Sequence, residues 1–292
     1  MKAGFMLRSI TDRPETVITE GIPTTEGNSS VLDAFTPERS ILLRTLDRNY
    51  YIDIELPADD PDIVQGIGLV DFKMPADGQV TVQAWTDSVD GSAEVVNETF
   101  NPWSAFLGFG TGGFGAGEFG GHTNIGSNPS IEARATEGGR VALLKDLPAA
   151  GNTARYWRIL FTSATPNLFR ISRIMLGRIW RPTSCMRRAW PLRTEYLNPV
   201  RSTPGGQEYT DETPNARHNA PLEFDWLSEG DADYIWEAAS RLGPHAPVLV
   251  RLRPSEGPSL LFHTLYGTLR GVTRARRNVM FSRVSMTVRE AL

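Results

Sequence analysis

The sequence predicts a mainly β protein, with an N-terminal jelly-roll β-sandwich and a C-terminal β-sheet domain that carries one packed helix. Three observations lead to this prediction. Short segments rich in β-branched and aromatic residues recur along the chain, and glycine, proline and aspartate cluster between them. One segment near residue 235 combines helical spacing of apolar residues with start and stop signals. Regular short strands between such turns are typical of sandwiches and jelly rolls.

The predicted sandwich occupies residues 41–182, after an N-terminal arm of residues 1–40. Alternation of apolar and polar side chains is clearest where Val80, Val82 and Ala84 interleave with threonine and glutamine. Turn signals such as "PADG" and "SVDG" separate the segments. The predicted strands are 50–56, 67–74, 79–85, 140–147, 156–161 and 169–180.

The predicted C-terminal domain covers residues 183–292 and begins with a polar, loop-rich stretch. Its helix is expected over 229–242, because Ser228 is a good N-cap and Asp231 completes a pair that resembles a capping box. Gly243, which is followed by proline, ends the helix. The expected apolar stripe of this helix consists of Ile235, Trp236, Ala239 and Leu242. The strands expected after it are 246–253, 259–272 and 278–290.

Length and composition narrow the function classes. The chain has 292 residues, of which 40% are hydrophobic and 22% are charged, as in a folded globular protein with a well-buried core. The formal net charge of −4 argues against a protein whose main task is to coat nucleic acid. No apolar run reaches the roughly 18 residues of a membrane span. The N-terminus turns polar too early for a signal peptide, so a cytoplasmic chain is expected.

A glycine-rich segment, "GFGTGGFGAGEFGG" at residues 108–121, matches the dinucleotide fingerprint G-x-G-x-x-G in overlapping registers. That fingerprint needs a strand before it and a helix that opens at its third glycine, because the helix N-terminus holds the pyrophosphate. The following residues, "EFGGHTNIGSNPS", have no helical periodicity. We therefore expect no cofactor.

Large apolar residues are spread through the loop of residues 101–130, which contains this segment. A flexible linker would carry serine and glycine without aromatic residues. Either the aromatic side chains pack on their own sandwich as a lid, or they dock on a neighbouring subunit. Docking is favoured, because aromatic residues are typical interface hot spots. The predicted partner-contact residues of the loop are Trp103, Phe106, Phe109, Phe114 and Phe119.

A basic stretch, "RGVTRARR", lies between two predicted strands near the C-terminus. A nucleic-acid surface would interleave basic residues with aromatic ones, and this stretch has none. A charged hairpin tip or a subunit contact is therefore favoured. Arg274, Arg276 and Arg277 join the predicted partner-contact residues.

No catalytic or metal site is predicted. The acidic cluster Asp59, Asp60 and Asp62 could ligate calcium, but without EF-hand spacing a solvated turn is favoured. The single cysteine, Cys185, excludes a disulfide framework and has no histidine in a protease signature. The four histidines lack metal-ligand spacing, and no acid–base pair of carboxylates can be nominated. We therefore expect a protein that is not an enzyme.

One long segment resembles a known family. Residues 156–182, "YWRILFTSATPNLFRISRIMLGRIWRP", resemble the closing hairpin of discoidin-like (F5/8 type C) jelly rolls found in tailed-phage virion proteins. That family runs strand, short turn with proline and asparagine, strand, and then glycine followed by an aromatic residue and proline. Residues 67–88 are similar to its early strand pair, and "NPWSAFLGFGTGGFG" to the insertion that often follows.

The C-terminal part resembles the tail-tube-derived domain of phage distal tail and baseplate proteins, a sheet with one helix. The resemblance lies in "GGQEY", in "ARHNAPLEFDWLSEGDADYIWEAASRLG" before "APVLVRLRP", and in "YGTLRGV" and "FSRVSMTVREAL". In the siphophage distal tail protein the tube-like domain comes first, whereas here the order is reversed.

These resemblances imply a structural virion protein of a phage tail tip, which links the tail tube to baseplate or receptor-binding parts. They imply a homo-oligomeric ring of sixfold or threefold symmetry, other tail and baseplate proteins as partners, and assembly in the host cytoplasm. The alternative is a carbohydrate-binding module for host-cell attachment, with a host surface glycan as its partner.

Overall fold

The structure is a computed structural model. It describes residues 3–13, 15–20, 30–36, 43–45, 49–57, 64–75, 78–102, 141–148, 154–164, 169–184, 186, 191–196, 201–202, 208–209, 216–243, 245–252, 263–278 and 280–291. Over these residues the chain is mainly β, with antiparallel sheets and one α-helix. This confirms the predicted fold class, a β-sandwich together with a sheet domain that carries one packed helix.

Two antiparallel sheets form the sandwich. The strands of the first sheet are β2 (Val17–Glu20), β4 (Asn49–Glu55), β6 (Gln79–Trp85), β7 (Glu94–Phe100) and β9 (Tyr156–Thr162), and their order is β2-β4-β9-β6-β7. The strands of the second sheet are β5 (Gly66–Val70), β8 (Ala142–Asp146) and β11 (Arg173–Gly177), in the order β11-β5-β8. A further pair joins β3 (Leu43–Thr45) to β10 (Phe169–Ile171).

Alternate residues of the five-stranded sheet face the three-stranded sheet. Val80, Val82 and Ala84 are fully buried, as their alternation with polar residues predicts. Ile52 and Ile159 on the neighbouring strands are buried in the same core. The core of the sandwich therefore lies between its two sheets.

A sheet of seven strands forms the second unit. Its strands are β1 (Gly4–Met6), β12 (Ile179–Trp180), β13 (Arg193–Tyr196), β16 (Ala216–Ser228), β17 (Pro247–Arg251), β18 (Thr264–Arg276) and β19 (Phe281–Glu290), in the order β12-β1-β17-β18-β19-β16-β13. Two short strands, β14 (Arg201–Ser202) and β15 (Glu208–Tyr209), pair with each other. The helix α1 (Glu229–Leu242) packs on one face of the large sheet, where Ala232 and Ile235 lie in its apolar core.

The predicted limits of α1 are confirmed. The Ser228 hydroxyl accepts a hydrogen bond from the Asp231 N–H at 3.2 Å, and Gly243, with a φ of 69°, ends the helix. The predicted apolar stripe was wrong at Trp236, which is 46% exposed. Successive helical residues are turned by about 100°, so Trp236 cannot share the buried line of Ile235.

The three-stranded sheet is packed on both of its faces. One face meets the five-stranded sheet, and on the other face Val70, Leu144 and Met175 form a cluster with Leu249 and Tyr266 of the large sheet. Every residue of β5 and β11 is consequently buried, rather than every second one. The layers stack as five-stranded sheet, three-stranded sheet, seven-stranded sheet and helix.

Two buried arginines cross the border between the units. Arg173 of the three-stranded sheet donates a hydrogen bond to the Tyr266 hydroxyl of the large sheet. In the opposite direction, Arg251 of the large sheet donates to Asp146 of the three-stranded sheet at 2.8 Å. The units are thus joined by apolar packing and by hydrogen bonds from charged groups.

The arm predicted for residues 1–40 contributes a strand to each unit. Strand β1 pairs with β12 and β17 in the large sheet, and β2 pairs with β4 at the edge of the five-stranded sheet. Strand β12 also belongs to the large sheet. The chain therefore passes from the large sheet to the sandwich between β1 and β2, and returns to the large sheet between β11 and β12. A division at residues 41 and 183 therefore separates strands that pair with each other.

Candidate partner-contact surface

The predicted arginines lie at the tip of the β18–β19 hairpin. Strand β18 is irregular just after Arg270, where Gly271 has a φ of 57° that favours glycine. At the turn, the Asn278 side-chain oxygen accepts hydrogen bonds from the N–H groups of Met280 at 2.9 Å and Phe281 at 2.8 Å. An asparagine of the hairpin thus closes its own turn.

Each of the three predicted arginines pairs with a carboxylate of its own chain. The pairs are Arg274 with Asp233, Arg276 with Glu229 at 3.3 Å, and Arg277 with Asp225 at 3.2 Å. The carboxylates stand at the end of β16 and in the first turns of α1, so the pairs fasten the hairpin to the start of the helix. Exposed pairs of this kind contribute about 0–1 kcal/mol each. The three positive charges are balanced within the chain.

Apolar side chains are exposed beside these pairs. Trp226 is 52% exposed and Met280 is 70% exposed. The guanidinium carbon of Arg277 lies 4.8 Å from the centroid of the Trp226 ring, and the Phe281 ring meets it edge-on at 5.9 Å. The indole is therefore held in place while part of it stays open to solvent. We call Trp226, Arg277, Met280 and Phe281 the tip patch.

A second exposed indole lies on α1. Trp236 borders a groove of about 330 Å³ between the helix and the irregular part of β18, where Leu269, Gly271 and Val272 also line it. Small-molecule pockets begin near this size, and a single apolar side chain of a partner also fits in such a groove.

Sequence reasoning missed Trp226 because of a change in strand register. Leu222 and Phe224 face the helix side, and strict alternation would place Trp226 there too. The pairing of β16 with β19 shifts between Phe224 and Leu227, so Leu227 is buried and Trp226 points outward. Only the aspartate beside the tryptophan in "FDWLS" hinted at a solvent-facing position.

The other predicted site residues lie outside the described part of the chain. These are the loop residues Trp103, Phe106, Phe109, Phe114 and Phe119, the acidic cluster Asp59, Asp60 and Asp62, and Cys185. The contact role of the loop stays a prediction, as does that of the hairpin arginines.

The start of α1 is tied to the chain that leaves the sandwich. The Asp231 carboxylate accepts hydrogen bonds from the Trp180 indole at 3.2 Å and from the Thr183 N–H at 2.9 Å. Burial acts to raise the pKa of Asp231, but hydrogen bonds from Thr183, Trp180 and Ser228 outweigh it, and the pKa lies below its ordinary value. The helix beside the tip patch is thereby fixed to the border of the two units.

The outer face of the five-stranded sheet carries a separate polar cluster. Arg158 donates to Asp53 at 2.7 Å and to Asp90 at 2.7 Å, and its guanidinium carbon lies 4.3 Å from the centroid of the Tyr51 ring. Hydrogen bonding to Asp53, above all, holds the pKa of Arg158 above its ordinary value. The Tyr51 ring is partly exposed beside fixed charges.

The described ranges contain neither a candidate metal site nor a candidate membrane-spanning helix. No group of three or more histidine, cysteine, aspartate or glutamate side chains there is placed to hold a metal ion. No described helix is long and apolar enough to span a bilayer.

Known proteins resemble the chain only distantly. No family model and no curated protein matches it. CpGH89CBM32-6 produced by Clostridium perfringens is similar with a TM-score of 0.34 and 11% identity, over 59% of this chain and 99% of that chain. The lectin binding domain of Lectinolysin complexed with Lewis b has a TM-score of 0.33 and 9% identity, over 56% of this chain and 92% of its own. A chain from the tail of an empty GTA particle has a TM-score of 0.29 and 11% identity, over 40% of this chain and 84% of that chain.

Proposed function

We propose that this protein is a structural component of a phage tail tip, a distal tail or baseplate part that links the tail tube to baseplate or receptor-binding parts. In this proposal the seven-stranded unit forms a closed homo-oligomeric ring of sixfold or threefold symmetry, and the sandwich projects from it. The protein would be assembled in the host cytoplasm and act in the virion, with no catalytic step. The assignment to a tail rests on the sequence resemblance of both units.

One observation supports an assembly role best: the exposed aromatic and methionine side chains around α1 and the hairpin. Of the seven large hydrophobic side chains that are exposed in the described residues, four belong to this region: Trp226, Tyr234, Trp236 and Met280. Tryptophan, tyrosine and methionine are enriched at protein interfaces, where a few such anchors supply most of the binding energy. Such a concentration of exposed apolar side chains is typical of a surface that binds another protein.

The joined layers also suit a scaffold. The three-stranded sheet is buried between the outer sheet of the sandwich and the large sheet, and Arg173 and Arg251 bond across the border. A part that holds neighbours in fixed positions needs its two units to move as one. The contact surfaces of the two units then keep a fixed orientation relative to each other.

Carbohydrate binding is the second candidate, and one observation favours it. The outer face of the sandwich presents the Tyr51 ring together with Arg158, Asp53 and Asp90. A ring for stacking beside fixed hydrogen-bonding groups is a combination that suits a polar ligand of ring shape. A glycan array with the wild type and Tyr51→Ala tests it, with loss of binding in the variant as the expected result.

Negative-stain electron microscopy and sedimentation velocity of the purified full chain test the assembly role. Rings of one diameter and a matching sedimentation coefficient are expected. Monomers at every concentration, combined with glycan binding on the array, would overturn the ring in favour of the second candidate.

A further inference from the structure

A pocket lies on the face of the large sheet that is opposite to α1. On β16, Ala220 and Leu222 face the helix, so Asn219 points to the opposite face. There a depression of about 540 Å³ crosses four adjacent strands, with Arg193 and Glu195 on the edge strand β13 and other charged side chains on β18 and β19. It is separate from the tip patch.

Arginine outnumbers carboxylate in and around this pocket. Glu195 accepts from Arg217 at 2.8 Å, from Arg289 at 3.2 Å and from the Asn219 amide at 2.8 Å. The hydrogen bond from Asn219, followed by that from Arg217, holds the pKa of Glu195 below its ordinary value. This one carboxylate is therefore already shared by two guanidinium groups.

Two further guanidinium groups have no such partner. Among the described residues, neither Arg193 nor Arg270 forms an ion pair, although both line the pocket. The pocket thus carries an excess of positive charge on a chain whose formal net charge is −4. Guanidinium groups are suited to bidentate contact with a carboxylate or a phosphate.

Two buried atoms in the pocket have no hydrogen-bond partner among the described residues, and one of them is a donor whereas the other is an acceptor. Arg270 Nε is a donor that needs an acceptor, and Asn219 Oδ1 is an acceptor that needs a donor. Leaving such atoms unpaired is costly, so a ligand that pairs both gains affinity. A bare phosphate mainly offers acceptors. An acidic residue of a peptide offers an acceptor in its carboxylate and a donor in its backbone N–H.

We propose that this pocket binds an acidic residue within an extended segment of a partner protein. The carboxylate pairs with Arg193 and Arg270, and the peptide N–H donates to Asn219 Oδ1. Among the described residues no strand pairs with the outer edge of β13, the last strand in the order of the sheet, and an extended segment could pair along that edge. This inference goes beyond the proposed function, because it needs neither the ring nor the tip patch.

The test uses hexaglutamate carrying an uncharged dye, with hexaglutamine as its control, and fluorescence anisotropy of the full chain at low ionic strength. We expect wild type to bind hexaglutamate and not hexaglutamine. The double variant R193Q/R270Q is expected to weaken binding by about tenfold or more, since it removes two charge-assisted contacts. The matched control is Arg241→Gln, an exposed arginine on α1 at the other face, which is expected to leave binding unchanged.

A second variant keeps the test decisive if R193Q/R270Q fails to fold. Glu195→Gln releases Arg217 and Arg289 from the internal carboxylate, so it is expected to strengthen hexaglutamate binding by about threefold. A role of Glu195 in folding alone would not increase affinity. The proposal is overturned if Arg241→Gln weakens binding as much as the pocket variant, if Glu195→Gln leaves binding unchanged, or if hexaglutamine binds equally. It is also overturned if inorganic phosphate displaces hexaglutamate at equal concentration, because the pocket would then be a phosphate site.

Discussion

The guanidinium of Arg173 donates a hydrogen bond to the hydroxyl of Tyr266 at 2.9 Å, across the border between sandwich and large sheet. The same arginine donates to Asp12 at 2.7 Å, and only 2% of it is exposed. Arg251 makes the reverse connection from the large sheet, to Asp146. Each unit therefore depends in part on the other unit for the hydrogen bonds of a buried arginine.

Replacing Arg173 tests this dependence. Arg173→Met removes the donor and leaves Asp12 without its buried partner, so the free energy of unfolding is expected to fall by about 3–5 kcal/mol. Urea unfolding followed by fluorescence measures it. The control is Arg241→Met, which breaks only an exposed pair with Glu237 on α1 and is expected to cost at most about 1 kcal/mol. Equal losses in the two variants would show that the border arginine has no special role.

Acidification probes the hydrogen bonds of Asp231. Its pKa is lower in the folded chain than in the unfolded one, so its contribution to stability is present above the unfolded value of 3.8 and is lost as the pH falls through the folded pKa. Asp231→Asn is therefore expected to be less stable than wild type by about 1–2 kcal/mol at pH 7. The gap is expected to narrow steadily as the pH is lowered to about 3.

Urea midpoints across that pH range measure the gap between the two proteins. Glu237→Gln is the control, since it lies on the same helix and loses only an exposed pair with Arg241. If the difference in the free energy of unfolding between wild type and Asp231→Asn stays constant with pH, Asp231 acts through its shape and not through its charge.

Glycine at position 68 sets the spacing of two layers. A Cβ there would lie 2.3 Å from Leu249 Cδ2 on the large sheet, and because Leu249 is fully buried, its side chain would have to shift within a packed core. Gly68→Ala is expected to lower the free energy of unfolding by about 1–3 kcal/mol. On α1, no atom of a described residue lies within 4 Å of a Cβ at Gly230, so Gly230→Ala is expected to raise the free energy of unfolding by about 0.5–1 kcal/mol. Thermal unfolding of both variants tests the expected decrease for Gly68→Ala and the expected increase for Gly230→Ala. An unchanged stability of Gly68→Ala would argue against tight packing at the border.

Truncation of the tip patch tests the assembly role. Trp226 and Met280 are exposed, so Trp226→Ala combined with Met280→Ser is expected to lower the fraction of rings in sedimentation velocity while the thermal midpoint stays nearly unchanged. Leu32→Ser is the control, because Leu32 is 56% exposed at a distant place on the chain. If both variants assemble like wild type, the tip patch is not a subunit contact.

The sequence by itself determined the features that depend on neighbours along the chain. The limits of α1 follow from Ser228 and Gly243, and the alternation around Val82 follows from the pleat of a strand that is buried on one face. The charged hairpin tip was also visible, because a basic stretch stands between two strand-like segments. Each of these signals depends only on residues that are close together in the sequence.

Only the tertiary structure decided what depends on residues far apart. Phe5 pairs with Trp180 and Val250 in one sheet, and no local pattern announces a pairing over such distances. Trp226 is exposed because a register shift against β19 turns it outward, and the charges of the hairpin arginines are balanced by carboxylates on other elements. The physical reason is common to all three. Propensity and periodicity report which face of an element is apolar, whereas the identity of the partner is fixed only when the layers pack.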